Sequence, residues 1–317
     1  MDRKNLQRVV AVINGKGGVG KTTITANVGG LLALSGWKVL IADLDYQANL
    51  GLDLGYQGSA GDDDGLGLAQ ALAYGVRPAI LKDVRPNLDV IVGGGHVDGA
   101  AAALVSKAAQ GKLNDARLSV AAMLDQVAGE YDIVLIDCPP GNDMLQSAAV
   151  AAARYVLIPV KTDDGSLGGM RITAGRLEQV IDLNPEMDLL GVIVFGSGTA
   201  ATNVRREFTS QIVEALGGAV AGDEMRAEIE GLVFDSFLRH SEATAKKARG
   251  SGLLVHELDD RVKAAPKFWE QLKAGIKPQS AGPASAEGVA DDLQAIAAEL
   301  VARIQAKESE MSVVTNG

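Results

Sequence analysis

A single cysteine, Cys138, occurs in the 317 residues, which excludes an intramolecular disulfide and any Cys-x-x-Cys metal or redox pair. That scarcity fits a reducing, cytoplasmic setting. No stretch approaches the roughly 20 apolar residues of a membrane span. The start, Met1-Asp2-Arg3-Lys4-Asn5, lacks the apolar core of a secretory signal. Positive charge is in deficit: 30 Lys and Arg stand against 40 Asp and Glu, for a formal net charge of −10. General affinity for nucleic acid is therefore not expected, and any DNA binding has to come from a local basic patch. There is no internal repeat. What is present, 47% hydrophobic and 22% charged residues, suits a globular chain with a sizeable core, in one large α/β domain or two small ones.

The stretch Asn14-Gly15-Lys16-Gly17-Gly18-Val19-Gly20-Lys21-Thr22-Thr23 organises the rest. It fits G-x-x-x-x-G-K-[ST], the phosphate-binding loop. The apolar run Val9-Val10-Ala11-Val12-Ile13 leads into it as a buried strand, and Ile24 to Ser35 leads out as a helix. Glycines let the backbone curl so that several N–H groups point inward, and the helix N-terminus adds partial positive charge there. Lys21 can then reach the β- and γ-phosphates, and the Thr22 hydroxyl can ligate Mg²⁺. A plain glycine turn would not need Lys-Thr after its last glycine. Lys16 is a second lysine inside the loop, at a position that an ordinary phosphate loop leaves open.

Two further segments deliver carboxylates toward this loop. Lys38-Val39-Leu40-Ile41-Ala42 reads as a buried strand ending at Asp43-Leu44-Asp45-Tyr46-Gln47-Ala48-Asn49. Asp132-Ile133-Val134-Leu135-Ile136-Asp137 has the Walker B pattern, four apolar residues and then an aspartate, followed by Cys138-Pro139-Pro140-Gly141. Ligands of open α/β sheets gather at the carboxyl ends of strands, where Mg²⁺ and an attacking water need oxygen partners. Cys138 has no nearby His and reads as a small buried residue rather than a nucleophile. His96 reads as a loop residue, and Asp62-Asp63-Asp64 as a solvated loop, since its spacing matches no calcium loop. Strands at 88–92, 155–160, 189–195 and 232–237 alternate with helical segments at 66–74, 99–110, 115–128 and about 202–216. That alternation argues an α/β fold: a doubly wound, mainly parallel sheet with helices on both faces.

Lys-Gly-Gly-Val-Gly-Lys-Thr-Thr, with the two aspartate motifs in order behind it, resembles the deviant Walker A motif of the ParA/MinD group of P-loop ATPases. The resemblance covers about residues 8–258. It implies that Gly15 to Thr23 bind ATP, that Lys21 holds its phosphates, and that Lys16 reaches across a homodimer interface to the partner's ATP. Thr22 and Asp137 would hold Mg²⁺, Asp43 would support the metal's outer shell, and Asp45 would orient the water. The family's Asp-x-Asp-Pro-Gln-x-Asn has Tyr46 in place of proline here, which puts the shape of that turn in question. Lys161 to Gly169 resembles the family's dimer face.

The ParA branch also implies a DNA-backbone site. Its candidates are Arg205 and Arg206 on one helix, and Arg239, Lys246, Lys247 and Arg249 in Leu238-Arg239-His240-Ser241-Glu242-Ala243-Thr244-Ala245-Lys246-Lys247-Ala248-Arg249, with Leu238 where proline is common. Positive charge without base-reading geometry would bind double-stranded DNA non-specifically. The remainder departs from the family. An ATPase domain over 1–275 carries an apparent insertion at about 260–285. Residues 286–307 form an amphipathic helix expected to pack on the core through Leu293, Ile296, Leu300 and Ile304, and 308–317 are expected to be a disordered tail.

The function implied is a DNA segregation (partition) ATPase. ATP favours a dimer bound to the nucleoid, and hydrolysis to ADP and phosphate, stimulated by a ParB-like centromere-binding protein, releases it. Without a helix-turn-helix before the first strand, operator binding is not expected. Alternatives on the same fold are a MinD-like membrane-positioning ATPase, an ATPase positioning a protein cargo, and a metabolic ligase or carrier. The acidic, alanine-rich terminal helix argues against membrane binding. The absence of Cys-x-x-Cys argues against an iron–sulfur carrier.

Overall fold

Eight strands form one sheet in the computed structural model, which describes residues 2–196, 202–217, 222–275, 277 and 280–315. In chain order the elements are β1 (Val9–Val12), α1 (Lys21–Leu34), β2 (Val39–Asp43), α2 (Asn49–Asp53), α3 (Leu66–Tyr74), β3 (Leu81–Arg85), β4 (Leu88–Ile91) and α4 (His96–Ala109). Then come α5 (Leu113–Arg117), α6 (Ser119–Asp125), β5 (Ile133–Asp137), α7 (Asp143–Ala152), β6 (Tyr155–Lys161), α8 (Asp164–Val180), β7 (Asp188–Phe195) and α9 (Thr202–Gly217). The chain continues through α10 (Asp223–Leu232), β8 (Val233–Leu238), α11 (Glu242–Ser251), α12 (Val255–Ala264), α13 (Phe268–Lys273) and α14 (Ala286–Thr315).

The strand order is β3-β4-β2-β5-β1-β6-β7-β8, and every pairing is parallel except β3 with β4. Parallel strands covered on both faces read as continuous apolar runs. Accordingly, β1, β2 and β5 are buried at every residue. Their side chains alternate between two cores. Val9, Ala11 and Ile13 pack under α3 to α10, whereas Val10 and Val12 pack under α1, α2, α11, α12 and α14. This is the expected doubly wound α/β architecture.

The structure differs from the sequence reading at four places. β3 reads as nothing in the sequence, because it is a half-exposed edge strand, Leu-Lys-Asp-Val-Arg, with no apolar run. The helix expected over 115–128 is two short helices meeting at Leu118, and His96 opens α4 rather than sitting in a loop. The tail expected to be disordered from 308 is helical through Thr315, as α14 continues. Its last turns are tied down by Arg8 Nε to Glu308 at 2.6 Å, Lys307 Nζ to Asp188 at 2.5 Å, and an Arg154 contact with the Met311 sulfur. Leu293, Ile296, Leu300 and Ile304 of α14 are all buried against the second core. Within the 260–285 stretch, α13 leaves Trp269 and Leu272 exposed.

Candidate nucleotide site

Parallel register sets the site. β5 lies between β1 and β2, and pairs Asp137 with both Val12 and Asp43. Both aspartates thus end neighbouring strands, directly beside the loop that leaves β1. Gly18 and Gly20 adopt φ of 72° and 89°, the left-handed region where a side chain would be strained. These two turns curl the loop into the first turn of α1, whose N-terminus begins at Lys21. The Asn14 side chain pins the loop base: its Nδ2 donates to the Pro159 carbonyl at 2.9 Å, and its Oδ1 accepts from the Lys16 N–H at 2.8 Å.

The two loop lysines diverge. Lys21 is buried, and its Nζ donates to the Lys16 carbonyl at 2.9 Å. Lys16 instead extends outward to Asp163 Oδ1 at 2.5 Å, with about a third of its side chain exposed. The open cleft beside the loop has a volume of about 350 Å³. Lys21, Thr22, Thr23 and Asp45 line it, and Lys16 does not.

Tyr46, where the family has proline, leaves the turn intact. The Asp45 carbonyl accepts the Ala48 N–H at 3.1 Å, and Asp45 Oδ1 accepts the Gln47 N–H at 3.0 Å. Ala48 takes a left-handed φ of 49°, so the bend is completed two residues after Tyr46. Tyr46 itself points to solvent, 45% exposed.

Two strand-end carboxylates, Asp43 and Asp137, are buried beside the loop. Burial pushes Asp43 well above the usual carboxylate range, and the neighbouring Asp137 charge adds to it. Burial pushes Asp137 up to about 7, opposed by the Thr22 hydroxyl, which comes near without forming a well-shaped bond, and by Lys21. Both Asp137 oxygens and Asp43 Oδ2 are buried without a hydrogen-bond partner. Orphaned carboxylate oxygens beside a threonine hydroxyl form an oxygen-only donor set, which suits a hard divalent cation such as Mg²⁺. Burial lowers the Lys21 pKa and raises that of the Cys138 thiol, which stays protonated and packs as a small apolar group.

Among the described basic residues of the expected DNA face, two are paired within the chain. Arg239 Nε and Nη2 grip Asp292 of α14, each at 2.7 Å, and a Cβ on Gly288 would collide with the guanidinium. Arg249 grips Asp53 of α2 at 2.6 and 3.0 Å. Both of these arginines, expected at a DNA face, thus have an aspartate partner within the chain, and Arg249 keeps 41% of its side chain exposed. Lys246 is exposed on the rim of the cleft, Lys247 and Arg206 are exposed, and the Arg205 side chain lies outside the described residues. Asn49, the last residue of the motif that begins at Asp43, lines the cleft, whereas Asp53, four residues further on, is marked by no sequence motif and meets the site only through Arg249.

A glycine cradle at the carboxyl edge of a parallel sheet, flanked by strand-end aspartates, defines the class: a P-loop nucleotide-binding protein. A family model described as "AAA domain" matches residues 7–189. The chain is 32% identical over 224 residues to the chromosome partitioning protein ParA of Caulobacter vibrioides, covering 67% of this chain and 80% of that protein. It is 29% identical over 214 residues to an uncharacterised protein of Mycobacterium tuberculosis, covering 67% of this chain and 65% of that relative's length. In fold it is similar to apo McdA of Cyanothece, with a TM-score of 0.63 at 23% identity over 80% of this chain and 93% of that one. An ATP complex of a McdA variant is similar at a TM-score of 0.60, 22% identity, over 86% and 98%. The chain belongs to the ParA family of P-loop ATPases. Among the described residues, no helix is long and apolar enough to cross a membrane.

Proposed function

We propose that this protein is an ATP-driven dimerisation switch that carries out DNA partition. ATP and Mg²⁺ occupy the cleft. The loop N–H groups from Gly15 to Thr23, together with Lys21, hold the phosphates, and Thr22 with Asp137 holds the metal, with Asp43 behind them. Bound there, Mg²⁺ neutralises charge on the β- and γ-phosphates. Asp45, on the cleft wall, orients the attacking water, and ATP yields ADP and phosphate without a covalent intermediate.

One observation carries the reading: the two lysines of one loop face opposite ways. Lys21 serves its own cleft. Lys16 stands outside it, on a surface pair with Asp163 that exchanges readily, because exposed ion pairs are worth only about 0.2–1 kcal/mol. A dense triphosphate on a second subunit is a stronger partner for that ammonium. ATP therefore favours a homodimer with nucleotide between the subunits.

The dimer then presents Lys246, Lys247 and Arg206 to the backbone of non-specific DNA, in doubled copy. Hydrolysis, stimulated by a ParB-like centromere-binding protein, returns the monomer and sets up movement of a cargo on the nucleoid. Burial of the α14 apolar stripe in the core supports this reading over a membrane-bound one. Sedimentation velocity with ATP, with ADP and without nucleotide tests the switch. A dimer confined to ATP is the expected result, and a monomer in all three conditions overturns it.

A further inference from the structure

Asp53 ends α2, the helix that begins four residues after Asp45. It is 8% exposed, and its charge is among those that raise both Asp43 and Asp137. It does not itself line the cleft. Its counter-ion is Arg249 of α11, which donates through Nε at 2.6 Å and Nη2 at 3.0 Å, leaving Nη1 outside the pair. Arg249 also lines the cleft together with Lys21, Thr22 and Thr23, and it lies within the field of Asp137.

The ion pair is not what fastens α11 to α2. Behind it the two backbones touch: a Cβ on Gly55 would lie 2.8 Å from the Gly252 carbonyl oxygen. Arg85 stitches the same seam, donating to the Leu54 carbonyl at 3.1 Å and the Gly252 carbonyl at 3.0 Å, and it is fixed in turn by Glu257 at 2.5 and 3.0 Å. With that seam closed, the guanidinium on the cleft side can change partner without parting the helices.

We propose that Arg249 is a phosphate-binding cation of the nucleotide site, supplied within the same subunit by α11, and that Asp53 and a bound nucleoside triphosphate compete for its guanidinium. This rests on the reading of the cleft as a nucleotide site. A guanidinium matches phosphate and carboxylate with the same two-pronged geometry, and the triphosphate carries more charge than one carboxylate. Occupancy then draws the guanidinium off Asp53 while the seam between α2 and α11 stays closed.

Competition and a plain structural clamp predict opposite signs. The test is the affinity for ATP with Mg²⁺, by calorimetry, in the unmodified protein, Arg249→Ala, Asp53→Asn and the double variant. Arg249→Ala should weaken ATP binding by about 10-fold, as for one lost charge-assisted contact. Asp53→Asn should tighten it by about 3- to 10-fold. In the Arg249→Ala background the second change should move affinity by less than about 2-fold. Arg249→Lys, which keeps the charge without the two-pronged geometry and guards against a folding defect, should bind ATP more tightly than Arg249→Ala and more weakly than the unmodified protein.

Parallel weakening by both single changes overturns the proposal in favour of a clamp. Undiminished tightening by Asp53→Asn in the double variant overturns it in favour of simple charge repulsion. If the unmodified protein binds ATP, Lys21→Ala abolishes that binding and Arg249→Ala has no effect, this inference fails alone. If the unmodified protein binds no ATP, the nucleotide-site reading fails with it.

Discussion

Lys16 meets Asp163 at 2.5 Å on the outer side of the phosphate loop, while Lys21, five residues on, turns inward and bonds the Lys16 carbonyl. Replacing Lys16 by Ala should leave monomer affinity for ATP within about 3-fold and abolish ATP-dependent dimerisation. Asp163→Asn should strengthen the dimer, but by no more than about 5-fold, because the pair it releases is exposed and worth at most about 1 kcal/mol. Sedimentation velocity over a concentration series reads both. A Lys16→Ala protein that dimerises normally with ATP contradicts the assignment.

Metal dependence follows from the orphaned Asp137 oxygens. Chelation of Mg²⁺ should weaken ATP binding at least about 10-fold in the unmodified protein. In Asp137→Asn the same chelation should change little, since the carboxylate proposed to hold the cation is gone. Titration calorimetry with and without chelator measures the difference. Equal responses in both proteins count against Asp137 as a metal residue.

His256 gives stability a pH dependence remote from the cleft. Burial lowers its pKa below the ordinary 6.5, opposed by Glu257 and Asp260 and aided by Arg85. The folded state therefore binds fewer protons than the unfolded chain below about pH 6.5, so the neutral imidazole's contribution is complete above that pH. It is lost as pH falls through the lower folded value. His256→Gln should flatten the urea-unfolding free energy between pH 7 and pH 5 relative to the unmodified protein. An unchanged slope contradicts this.

The terminal helix should behave as part of the core. Ile296→Ala, at a fully buried position, should cost about 2–4 kcal/mol. Arg239→Ala leaves Asp292 at 8% exposure without its partner and should cost about 1–2 kcal/mol, near the low end because the arginine is itself partly solvated. Urea unfolding at fixed pH checks both values. Loss of DNA affinity by Arg239→Ala at unchanged stability would instead restore it to the DNA surface.

The sequence was legible where burial makes pattern. β1, β2, β5 and β6 are covered on both faces, so each reads as an apolar run with the functional residue at its end. Glycines and Lys-Thr mark the loop because phosphate binding needs those groups at that spacing. Edge strand β3 was not legible, since Lys82, Asp83 and Arg85 face solvent or pair along the surface. A run of basic residues likewise does not reveal its partners. Arg239 and Arg249 look like neighbours of Lys247 in the chain, yet each is held by an aspartate 53 or 196 residues away. Asp53 was invisible for the same reason: its role comes from α11 folding back over α2.

An ATP-controlled grip on DNA is read by binding to a random-sequence duplex with ATP, with ADP and without nucleotide, over a salt series. Binding should appear with ATP alone, weaken steeply with salt and be lost in Lys16→Ala. Lys247→Ala should flatten the log–log salt slope by about 0.9 for each phosphate contact removed. Hydrolysis of ATP with no DNA bound at low salt would contradict it.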